Sequence, residues 1–147
     1  MEQKRTVRSY KDLLVWQKGM VLAKQIYSLS RSFPSDEKFG ITAQMRRAAV
    51  SVPSNIAEGQ ARHGRKEFVQ FISHSEGPLA ELDTQLILAT ELGFCQQSSA
   101  KPSADLIEEL QKMLTSLRHK VEERLATINQ PLRAASSHYP LTTNHCS

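Results

Sequence analysis

A chain of 147 residues, 39% hydrophobic and 23% charged, fits one domain with a buried core, which excludes a chain disordered throughout. Six glycines and six prolines are too few for a loop-rich β fold, and no apolar run nears the roughly 18 residues of a membrane span. The net charge of +4 is unevenly spread: residues 1–66 carry 13 Lys and Arg against 5 Asp and Glu, while residues 67–147 carry 6 against 10.

Residues 1–11 form a basic N-terminal arm with Lys4, Arg5, Arg8 and Lys11. No apolar h-region follows it, so no signal peptide is expected. The first helix is predicted from about Asp12, acting as N-cap, to Ser30. Leu13, Trp16, Met20, Ala23, Tyr27 and Ser30 recur at three- and four-residue steps, and Leu14, Val21 and Ile26 widen the apolar face. On this stripe Trp16 reads as a core or interface anchor. The break falls at Ser32-Phe33-Pro34-Ser35, because proline disfavours helix for the residue before it.

A second helix is predicted from Asp36 or Thr42 to Gly59, read as a C′ glycine, with Ile41, Met45, Ala48, Val52 and Ile56 inward. Pro53 interrupts it and is expected to kink it; the rival reading ends one helix near Val50 and starts another after Ser51. After a turn over Gln60–Gly64, a third helix is predicted over Arg65–Leu92. Phe68, Phe71, Ile72, Ser75, Leu79, Leu82, Leu86 and Ala89 lie on one face, and Gly77-Pro78 should kink or split it. Gly93 ends that helix, and Cys95–Lys101 reads as a polar loop. The fourth helix is predicted to start at an N-cap Ser103. Leu106, Leu110, Met113, Leu117, Val121, Leu125 and Ile128 form its near-heptad seam. Residues 131–147 are expected to be a disordered polar tail. With no sustained period-two alternation, the pattern predicts an all-α, up-down-up-down four-helix bundle over residues 12–130.

Motifs for catalysis are missing. The histidines, His63, His74, His119, His138 and His145, form no His-Glu-x-x-His pattern, and none has a Glu three residues before it, as a di-iron bundle requires. There is no P-loop, no G-x-G-x-x-G and no local signature of a nucleophilic triad. Cys95 and Cys146 lack metal or redox spacing, which predicts free thiols in a cytoplasmic protein. Neither an enzymatic activity, a metal nor a cofactor is expected.

The basic residues carry the functional reading. Arg46 and Arg47 lie in the second helix, and Arg62, Arg65 and Lys66 cluster at the following turn. Guanidinium and ammonium groups bind phosphates and release counterions, and the helix start near Arg65 would add backbone donors. Salt bridges to the acidic second half are the competing account. Most aromatics lie on core stripes, so recognition of nucleic-acid backbone and shape is expected rather than base stacking. Asn55 and Glu58 are read as a structural polar network bracing the Pro53 kink, the amide serving a freed carbonyl and Glu58 pairing with Arg46, Arg47 or Arg62.

Several segments carry a resemblance. They are Tyr10-Lys11-Asp12-Leu13, Val15-Trp16-Gln17-Lys18, Phe33-Pro34, Gln44-Met45-Arg46-Arg47-Ala48-Ala49 and, above all, Ser51-Val52-Pro53-Ser54-Asn55-Ile56-Ala57-Glu58-Gly59. Glu81-Leu82-Asp83-Thr84-Gln85-Leu86 and Leu92-Gly93-Phe94 extend them. Together they resemble the four-helix bundle family of 23S rRNA intervening-sequence proteins, the S23 proteins, over residues 9–95. Pro78 departs from the Gly-Ser-Leu usual in that family. The resemblance implies a cyclic homo-oligomer, a pentamer, in a bacterial cytoplasm. It also implies kinship with accessory proteins of reverse transcriptases in diversity-generating retroelements. The expected partner is nucleic acid, structured RNA foremost. The alternative is an oligomeric scaffold that docks a protein such as a reverse transcriptase.

Overall fold

The computed structural model describes residues 7–129. Four helices account for most of it: α1 (Leu14–Ser30), α2 (Ile41–Ala61), α3 (Arg65–Glu91) and α4 (Gln97–Asn129). Contacts between them show the topology. Gly19 meets Pro53 and Ser30 meets Arg46, so α1 and α2 are antiparallel. The Ser75 hydroxyl donates to the Val52 carbonyl, and Gly59 lies against Phe71, so α2 and α3 are antiparallel. Glu76 bonds Arg118 on α4, while Ser103 bonds Gln25 and Lys18 pairs with Glu109 across to α1. Each helix therefore packs on its two chain neighbours, α4 closing back on α1 in an up-down-up-down bundle. Among the described residues there is no strand, and no helix is long and apolar enough to cross a membrane.

Leu22, Ile26, Met45, Ile56, Ile72, Leu79, Leu82, Ile107, Leu110 and Leu114 are fully buried. Removing each such side chain from water stabilises the fold by about 1.5–3 kcal/mol before entropy is counted. Small residues set the helix spacing. A Cβ on Gly19 would sit 3.3 Å from Pro53 Cβ, and one on Gly59 would sit 2.6 Å from Phe71 Cβ. Between α3 and α4, Arg118 donates through Nε to Glu76 at 2.9 Å and reaches Glu122 at 3.5 Å. The hydrogen bond donated to Glu76, and then the charge of that carboxylate, raise the Arg118 guanidinium pKa above its ordinary value.

Several boundaries differ from the expectations. Asp12 does not cap α1. It closes a capping box with Ser9 around a single 3-10 turn, Tyr10–Asp12, and α1 begins after Leu13. The buried stripe of α1 is Val15, Gly19, Leu22, Ala23, Ile26 and Ser30, which leaves Leu14, Val21 and Tyr27 exposed. Gly59 is no C′ residue. It is buried inside α2 against α3, and His63, at φ 58°, takes the left-handed position of the turn instead. Gly93 does end α3 as expected. At φ 77° it donates to Thr90 O at 3.0 Å, and Phe94 N donates to Ala89 O at 2.9 Å, the two bonds of a Schellman motif.

Neither Pro53 nor Pro78 splits its helix. The lost proline N–H would have reached the carbonyl four residues earlier. His74 is exposed, so water can serve the carbonyl opposite Pro78, whereas Ala49, opposite Pro53, is fully buried. The fourth helix starts at Gln97, not Ser103, and takes in the segment read as a loop together with Pro102. Ser103 is buried and donates to Gln25 Oε1 at 2.9 Å, a tie between helices rather than a cap. The inward seam runs through Ala100, Ser103, Ile107, Leu110, Leu114 and Val121; Ile128, placed on the seam from the sequence, is 63% exposed. Most of the N-terminal arm, including Lys4 and Arg5, and the tail with His138, His145 and Cys146 lie outside the described residues.

Candidate functional site

The five basic residues singled out in the sequence do not form one patch. Arg46 and Arg47 lie near the start of α2, and Arg62, Arg65 and Lys66 lie past its far end. The rise of an α-helix puts about 24 Å along the axis between Arg46 and Arg62.

The two residues of the first group differ. Arg46 is half-buried and turned onto the end of α1. Its Nε donates to Ser30 Oγ at 2.9 Å, its terminal nitrogen reaches Tyr27 O at 3.4 Å, and its guanidinium lies 4.6 Å from the Tyr27 ring centroid. Tyr27 is within the last turn of α1, where carbonyls lack helical partners and a cation is favoured. Arg46 is thus a helix cap supplied from a neighbouring helix. Arg47 is exposed and has no ion pair among the described residues. The sequence could not separate the two, because one step along a helix turns a side chain by about 100°.

In the second group, Arg62 pairs with Glu58 at 3.2 Å, both side chains largely exposed, and its guanidinium lies 5.5 Å from the Phe71 ring centroid. Such a surface pair contributes little and leaves Arg62 able to exchange partners. Arg65 and Lys66 are exposed, with no ion pair among the described residues. The start of α3 is less open to a phosphate than the sequence implied, since the Glu67 carboxylate folds back over Gly64.

Asn55 and Glu58 are not joined to each other. Asn55 donates to Ser51 O at 2.8 Å, not to the Ala49 carbonyl that Pro53 leaves free, and Glu58 holds Arg62. Among the described residues no group of three or more His, Cys, Asp and Glu is placed to hold a metal ion.

A groove of about 570 Å³ runs along the α1–α2 side, walled by Lys38, Phe39, Arg47, Val50 and Asn55. Nothing in the sequence points to this groove, because an aromatic beside a helix start ordinarily counts toward the core, yet Phe39 is 90% exposed. A second groove, of about 730 Å³, lies between α3 and α4, where exposed Ile87 is flanked by Asp83, Glu91 and Asp105.

The comparisons with known proteins fit this architecture. A protein of unknown function from the S23 ribosomal protein family of Bacteroides thetaiotaomicron VPI-5482, solved by crystallography, superposes with a TM-score of 0.66. The match is 21% identical and covers 71% of this chain and 98% of that one, so it speaks for the fold alone. No curated protein matches the chain. The model of the 23S rRNA-intervening sequence protein family matches residues 11–116, and the chain belongs to that family.

Proposed function

We propose that this protein is a non-enzymatic, oligomeric RNA-binding bundle that grips structured RNA through its phosphates. The observation that carries the reading is that Arg47, Arg65 and Lys66, like Lys24, Arg31 and Lys38 in the same basic half, are exposed and have no carboxylate partner among the described residues. Charges satisfied within the fold would have been paired, as Lys18 and Arg118 are. Arg62 joins them by releasing Glu58, and Arg46 holds the surface in place. Family membership adds an association with ribosomal RNA by name. Two groups of cations about 24 Å apart along the α2 axis suit contact with separate phosphates of a folded RNA better than recognition of one base.

The test is fluorescence anisotropy with a structured RNA across a salt series. Log affinity should fall linearly with log salt, by about 0.9 per phosphate neutralised on a duplex. Binding that ignores salt, or no binding at low salt, would refute the reading.

A second reading, a scaffold that docks a protein such as a reverse transcriptase, is favoured by a different face. Ile87, Leu88 and Leu92 are 53%, 46% and 55% exposed on α3. With acidic neighbours, that surface complements the basic half of another copy or of a partner. In either reading the chain assembles as a homo-oligomer, and the family resemblance favours a pentamer. A monomer by light scattering at micromolar concentration would count against assembly.

A further inference from the structure

We propose that the groove between α1 and α2 holds one unpaired nucleotide of a bound RNA, its base stacked on Phe39 and its phosphate held by Arg47 and Lys38. This rests on the RNA-binding reading above and adds to it a second mode of contact, since stacking needs a base freed from the duplex.

Phe39 is the first support. It sits between the 3-10 turn Ser35–Glu37 and the start of α2, in a loop fixed by the bond from Gly40 N to Glu37 O at 3.0 Å. The ring therefore stands 90% exposed on a short, tied segment. Its surroundings are the second support. Lys38 Nζ lies 5.6 Å from the Phe39 centroid, and Arg47 lines the same groove. A base on the ring would carry its phosphate among cations. None of the residues lining the groove is acidic; the nearby Glu37 carboxylate instead accepts from Ile41 N at 3.4 Å. The other aromatic at the groove, Tyr27, is already covered by Arg46.

The third support is the floor. Thr42 closes it at 7% exposure, with its hydroxyl enclosed beneath the groove surface. Asn55 spends one N–H on Ser51 O, and its side-chain oxygen has no partner among the described residues. A ligand rich in hydrogen-bonding atoms satisfies the Asn55 oxygen, whereas an apolar protein surface would bury it unpaired. The volume of about 570 Å³ also lies in the range of small-ligand sites.

The experiment compares binding of a single-stranded RNA and of a fully paired RNA duplex of the same length, by anisotropy at fixed salt. The proteins are the wild type, Phe39→Ala and Phe39→Trp. Phe39→Ala should weaken single-strand binding about tenfold and leave duplex binding and the salt slope unchanged. Phe39→Trp should restore binding, and its added emission should be quenched by the single strand. If Phe39→Ala binds the single strand within about twofold of wild type, the nucleotide site is refuted while the phosphate reading stands. If the substitution changes the oligomer by light scattering and not the RNA affinity, a second copy occupies the groove and the proposal fails. A wild type that binds neither RNA overturns both readings.

Discussion

The two faces of α2 carry opposite kinds of information. Its inner face holds Met45, Ala48, Ala49, Val52, Pro53, Ile56 and Gly59, all buried. Its outer face holds exposed Arg47, Val50, Ser54 and Glu58. The run Ser51–Gly59, by which the family is most readily recognised, is thus chiefly a packing device. It lets α1 approach at Gly19 and α3 at Gly59, and it takes the Ser75 hydroxyl on Val52 O. Most of the residues proposed to meet RNA, Phe39, Arg47, Arg65 and Lys66 among them, lie outside that run, and Asn55 is the one within it. A strongly patterned stretch therefore marks how the chain holds together before it marks what the chain binds.

Substitutions on the two faces should separate these roles. The largest effect is expected inside: Ile56→Ala, at a fully buried position, should lower unfolding stability by about 2–5 kcal/mol in urea titration. RNA affinity measured where the variant is still folded should change little, and a selective loss of affinity would contradict the division of faces. Gly59→Ala comes next. Its new Cβ would meet Phe71 Cβ, a main-stem atom that cannot swing aside, so the helices must part. The expected loss is about 1–3 kcal/mol, reduced by the better helix propensity of alanine, about 1 kcal/mol. A stability gain would mean that α2 and α3 lie further apart than described.

The smallest structural effect belongs to the outer face, and adjacent arginines provide the contrast. Arg46→Ala removes the bonds to Ser30 and Tyr27 and should cost about 1 kcal/mol. Arg47→Ala should leave stability within about 0.5 kcal/mol and reduce the salt slope of RNA binding by about 1. Equal effects from the two would erase the distinction between a bracing and a binding arginine.

What the sequence disclosed follows the same physical divide. Periodicity located all four helices, since burial of one face is written in the spacing of apolar residues. Gly93 was legible because a left-handed cap has few alternatives to glycine. Gly59 was misread because a packing glycine and a capping glycine look alike, and only the position of Phe71 separates them. The start of α4 was hidden by its polar first turns and by Pro102, which the helix accommodates because Ser98, whose carbonyl loses its donor, faces water. The site was less legible than the fold. Charge could be counted along the chain, but Arg46 turning onto α1 and Phe39 standing free both depend on how α2 is rotated.

Trp16, the single tryptophan, is half-buried near the start of α1, with its ring centroid 5.4 Å from that of Tyr10. Ser30, which binds Arg46 beside the groove, is about 20 Å further along the same helix. The molecule thereby contains an intrinsic optical probe of its own folding, placed away from the groove proposed to receive a nucleotide but at the end of the bundle where Arg62, Arg65 and Lys66 lie. A change in tryptophan emission on adding RNA would therefore report contact at the Arg62, Arg65 and Lys66 end, while a labelled oligonucleotide reports total occupancy, so the two proposed contact regions are separable in one cuvette.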